Sequence, residues 1–194
     1  MPRPVGRSVV HRTSTRVLLS CAAIGVGGGL VAGASGYLAA AFAAFGPLLY
    51  GITAGTHFLP SVVALALLRR PGTAVLAGVI AGLVGAAFAP WWIGRFIGTG
   101  LLVGVLLELP FLITRYRRWD PWLFYVSAAF SGLVLAMAVF IGLGAEHYAW
   151  WAWAIALPLW VASPVFFTWI GRVIAARLAR AGVAQLPSRE TQPG

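Results

Sequence analysis

Apolar runs of about twenty residues recur along the whole chain, separated only by short breaks. Each run is long enough to cross the roughly 30 Å hydrocarbon core of a bilayer as a helix. With 60% hydrophobic and 9% charged residues, against about 25% charged in a typical soluble domain, the 194-residue chain cannot hide its apolar surface in a water-soluble core. The pattern predicts an all-α integral membrane protein, a six-transmembrane-helix bundle. Its spans lie at about 17–39, 47–68, 73–89, 96–114, 122–143 and 149–171. Gly46-Pro47, Arg70-Pro71-Gly72, Ala89-Pro90 and Asp120-Pro121 supply breakers between them. No connection has room for a soluble domain. The expected organisation is a tail over 1–15, one membrane domain over 16–174, and a second tail over 175–194.

The formal net charge of +10 could suggest nucleic acid, but the position of the charges argues against that partner. All fourteen basic residues are arginines, mostly clustered between apolar runs, where such charges set membrane orientation. With the N-terminus in the cytoplasm, Arg3, Arg7, Arg12, Arg16, Arg69, Arg70, Arg115, Arg117, Arg118, Arg172, Arg177, Arg180 and Arg189 fall inside, and Arg95 alone falls outside. Both termini are therefore expected in the cytoplasm. The N-terminal run imitates a signal peptide but is longer than the usual core of about 7–15 residues, so the first helix is expected to stay.

On the opposite side, 90-PWWIGR-95 and 144-GAEHYAWWAW-153 are crowded with tryptophans. One reading is an aromatic belt at the lipid interface. The other is a binding mouth, because Arg95, Glu146, His147 and Tyr148 stand among the rings.

Three further features carry chemistry. In the first span Gly28, Ala32, Gly36 and Ala40 recur every four residues. Small residues at this spacing let another helix approach closely, either inside the bundle or in a docking subunit. Glu108 interrupts an apolar run in the fourth span. An acid there is costly and faces the bundle interior or a cavity; it ties helices together, reads a ligand's polar edge, or carries protons. His57 sits mid-span with Tyr50, Thr53 and Thr56 nearby and Pro60 just beyond. It either bonds a neighbouring helix or contacts a ligand, and kinked helices mark such sites in transporters.

Enzyme signatures such as GxSxG, HExxH and GK[ST] are missing, so no enzyme and no cofactor is expected. The single Cys21 and the dispersed His11, His57 and His147 give no metal cage.

The segments 67-LLRRPGTAVLAGVIAGLVGAAF-88 and 100-GLLVGVLLELPFLITRYRRWD-120 resemble the S components of energy-coupling factor (ECF) transporters, of the YkoE type linked to thiamine and its hydroxymethylpyrimidine precursor. The likeness lies in Arg69-Arg70-Pro71-Gly72, the glycine-rich span with Glu108, and Tyr116-Arg117-Arg118-Trp119. The resemblance implies a subunit that captures a vitamin at its outer side. It also implies docking, through the small-residue face of the first helix, on a transmembrane coupling subunit driven by two ATP-binding subunits. The pocket expected on this basis comprises Trp91, Trp92, Glu146, His147, Tyr148 and Trp151, with Glu108 and His57 deeper. The alternatives are a small homo-oligomeric transporter or channel, or a membrane scaffold subunit.

Overall fold

A computed structural model describes residues 15–43, 47–142 and 150–183, and no strand occurs among them. The helices are α1 (Thr15–Ala43), α2 (Pro47–Ala54), α3 (Leu59–Leu68), α4 (Thr73–Ala86), α5 (Ile93–Ile113), α6 (Pro121–Gly142) and α7 (Trp150–Arg180), with 3₁₀ turns at Gly55–Phe58 and Pro90–Trp92. Five apolar segments are long enough to cross a membrane; α4 is shorter. Each expected span has a helical counterpart, with two departures. The second is broken into α2 and α3 by a 3₁₀ turn that precedes Pro60. The third, α4, has only 14 residues, or roughly 21 Å at the α-helical rise, too short to cross the hydrocarbon alone.

The short α4 packs against both α1 and α5. Its contact with α5 runs backbone to backbone, because a Cβ on Gly100 would strike the carbonyl oxygen of Gly78, and one on Gly104 would lie 2.6 Å from Val75 Cα. Lipid supplies no hydrophobic drive between helices, so such close van der Waals approach is what holds them. The core lies between α3, α5, α6 and α7. Phe58, Leu65, Leu107, Phe111, Phe140 and Trp160 are fully buried there. Trp160 sits where Gly51 of α2 and Gly132 of α6 leave room for α7.

Successive spans reverse direction, so the described arginines separate. Arg16, Arg69, Arg70, Arg115, Arg117, Arg118, Arg172, Arg177 and Arg180 lie toward the end where α1 and α4 begin, and Arg95 lies toward the other.

Candidate ligand-binding site

At the Arg95 end, α1, α2, α5 and α6 enclose a cavity of about 490 Å³, within the range of small-molecule sites. The break in the second span builds its floor. Gly55 N–H donates to Ser163 Oγ of α7 at 3.0 Å, and that hydroxyl donates to the carbonyl of Ile52 at 2.6 Å. Ser163 thus satisfies backbone groups that the break would leave orphaned. On the other flank, the hydroxyls of Thr56 and of Ser35 on α1 lie 2.9 Å apart. A Cβ on Gly55 would meet Ser163 and the Phe167 ring, so glycine is needed where the turn meets α7. The clamped turn presents His57 to the cavity, beside Thr53 at the end of α2. The imidazole lies 6.2 Å from the Phe96 ring, tilted by 51°.

The aromatic wall comes from the α4–α5 connection. Phe88, Trp91, Trp92 and Phe96 line the cavity with Arg95 and Thr99, and the guanidinium of Arg95 lies over the Trp92 ring at 5.4 Å. Tyr37 of α1 and Leu135 and Val139 of α6 complete the lining. Aromatic faces, hydroxyls and one imidazole suit a flat heterocycle with a donor–acceptor edge. Among the described lining residues there is one guanidinium and no carboxylate.

The structure therefore brings together Trp91, Trp92 and His57, and it places others elsewhere. Trp151 is half exposed and is not part of the lining. Glu146, His147 and Tyr148 lie outside the described residues. Glu108, expected deeper in this pocket, lies ~13 Å further along α5 than Thr99 at the α-helical rise. Its carboxylate accepts from the N–H of Gly72 at 2.9 Å, Ala74 at 2.7 Å and Val75 at 3.5 Å, and from Tyr116 Oη–H at 3.0 Å. It is an N-cap supplied to α4 by α5. The first N–H groups of a helix have no partner within the helix, and the positive end of the helix dipole favours an anion. Burial, then the hydrogen bond to Glu108 and its charge, push the Tyr116 hydroxyl up to about 12, so it remains a donor.

The small-residue stripe of α1 is divided. Ala32 is buried, a Cβ on Gly28 would strike Pro60 of α3, and Gly36 lines the pocket. The side chain of Ala40 lies outside the described set. Gly25, Gly29 and Gly33, also four residues apart on α1, abut Ile80, Val84 and Phe88, so these three glycines serve packing inside the bundle. Sequence reasoning missed Ser35, Tyr37, Phe88, Phe96 and Thr99 as pocket residues. The spacing of Trp92, Arg95, Phe96 and Thr99 along one helical face was the available signal.

Residues 16–134 match the family model described as the permease component of ABC-type cobalt transport systems. A 76-residue stretch is 33% identical to YkoE of Bacillus subtilis (strain 168), a protein named as an HMP/thiamine permease protein; it covers 39% of this chain and 38% of that relative. The fold matches a crystal structure of an S-component of an ECF transporter with a TM-score of 0.81 at 23% identity, over 89% of this chain and 88% of the other. These matches and the apolar helices make it a multi-pass protein of the bacterial plasma membrane, with the family and fold of a transport subunit rather than of an enzyme. With more than half of its length matched, the chain belongs to the family of ABC-type cobalt transport permease components, built on the fold of an ECF-transporter S component.

Proposed function

We propose that this protein captures a thiamine-related pyrimidine in the cavity between α1, α2, α5 and α6 and delivers it to an ATP-driven import complex. The observation that carries this reading is the meeting of stacking faces (Phe88, Trp92, Phe96) with the hydrogen-bonding edge of His57 and Thr53 in one cavity. Support for the ligand class comes from the name of the partial relative. Hydroxymethylpyrimidine is neutral and flat, and its ring and polar edge fit aromatic faces beside an imidazole and hydroxyls. The same lining offers a bare divalent cation one imidazole and hydroxyls, a poor donor set for a transition metal.

The cavity opens at the Arg95 end, and the excess of arginines at the opposite end supports a cytoplasmic position for that end, hence for both termini. Coupling to a membrane subunit driven by two ATP-binding subunits belongs to the same proposal. Docking is assigned to the α1 face carrying Gly27 and Gly28, which lines an apolar groove of about 740 Å³ with α3 and the end of α7.

Titration of the purified protein with hydroxymethylpyrimidine, thiamine and other vitamins, followed by tryptophan fluorescence, tests the ligand. Saturable quenching by hydroxymethylpyrimidine or thiamine is expected, and Trp92→Ala should weaken it about tenfold, the scale of one aromatic contact. Absence of a response across the panel, from folded protein, would overturn the ligand assignment.

A further inference from the structure

We propose that the loops after α3 and α5 form a single binding surface for the phosphate headgroup of an anionic lipid. This surface is at the opposite end of the bundle from the pocket and is independent of what the pocket holds. Arg69 and Arg70 follow α3, Arg115, Arg117 and Arg118 follow α5, and all five are exposed. Glu108 joins the two loops: its Oε2 accepts from Gly72 N–H at 2.9 Å and from Tyr116 Oη–H at 3.0 Å. Two segments distant in sequence thus meet at one carboxylate oxygen.

Two observations set this surface apart from a scatter of interfacial charges. The first is backbone conformation. Arg69, Arg115 and Tyr116 have φ of 48°, 51° and 56° and are the non-glycine residues with positive φ among those described. They close α3 and α5 as left-handed caps, with Arg69 N–H donating to the Leu65 carbonyl and Tyr116 N–H to the Phe111 carbonyl, so each arginine loop leaves its helix at a fixed turn. The second is charge. The Glu108 carboxylate accepts from backbone N–H groups and a phenol, and all five arginines are exposed. Their guanidiniums therefore face outward as a cationic pair of loops, with a fork geometry that fits phosphate oxygens. The level is that of a lipid headgroup. Trp119 is fixed by its Nε1–H to the Tyr116 carbonyl at 3.0 Å, and Trp122 at the start of α6 is 55% exposed, as tryptophans at the bilayer interface are.

Native mass spectrometry of the full chain in detergent, titrated with phosphatidylglycerol and separately with phosphatidylcholine, tests the proposal. Phosphatidylglycerol should bind at least about tenfold more tightly. Arg69→Gln/Arg70→Gln and Arg117→Gln/Arg118→Gln should each weaken it about tenfold, since an arginine near anionic lipid contributes a severalfold effect. Arg177→Gln/Arg180→Gln, at the end of α7, should change it less than threefold, by the same scale for charges off the site. All variants replace exposed side chains, and their wild-type thermal unfolding establishes that they fold. Equal binding of the two lipids overturns the proposal. So does dependence on one loop only, an equal loss in the α7 variant, or displacement of the lipid by equimolar inorganic phosphate.

Discussion

A carboxylate among apolar residues raises one question, and the geometry of Glu108 answers it. The short α4 begins with orphan N–H groups, and α5 supplies the acceptor. Glu108→Gln replaces one acceptor oxygen by a donor facing a backbone N–H. It should cost about 1–3 kcal/mol, the penalty for an unsatisfied buried group, seen as a lower unfolding midpoint, while ligand affinity of the folded fraction stays unchanged. Loss of affinity at unaltered stability would instead put the carboxylate in contact with the ligand. Tyr116→Phe should cost about 1 kcal/mol, as one hydrogen bond does. The folded protein binds the phenol proton more tightly than the unfolded chain, so this contribution is complete below the ordinary tyrosine value of about 10. It is lost as pH rises through about 12. A pH series of unfolding midpoints, compared with Tyr116→Phe, reads it.

Among the elements, the broken second span and the short third one define the site. Their consequences were only partly legible beforehand. A kink near His57 is visible in the sequence as Pro60, yet the break falls at Gly55–Phe58, because Ser163 of α7 supplies the bonds that let the helix open there. A partner 108 residues away leaves no local trace. Ser163→Ala removes both bonds. It should destabilise the protein by about 1–3 kcal/mol and weaken the ligand severalfold by loosening the turn that carries His57. Unaltered affinity and unfolding midpoint would show that the turn holds its shape without α7. Gly100→Val tests the α4–α5 contact: with the Gly78 carbonyl in the way, overpacking should cost about 3 kcal/mol or more. The aromatic wall would shift with it, measurable as a parallel fall in stability and ligand quenching.

For the whole molecule, the pocket and the arginine loops occupy opposite ends, so sidedness is the property to measure. In a Cys21→Ala background, Trp91→Cys should react with an impermeant thiol reagent added to intact cells, and Arg117→Cys only after the membrane is opened. The reverse pattern would invert the proposed orientation.

The sequence alone determined the membrane class, the apolar helices and the clustering of arginines between them, because helix length, apolar content and loop arginines are local properties read by a slab of hydrocarbon. It also pointed to Trp91, Trp92 and His57, since aromatic and polar groups inside such a chain carry a cost that needs a reason. Only the tertiary structure decided that Glu108 caps α4 rather than facing the pocket, that Ala32 is buried inside the bundle, and that Ser35, Phe96 and Thr99 join the cavity. Those outcomes depend on which helix faces which. That is set by contacts between backbones and side chains far apart in sequence, such as Gly78 against Gly100 and Glu108 against Gly72.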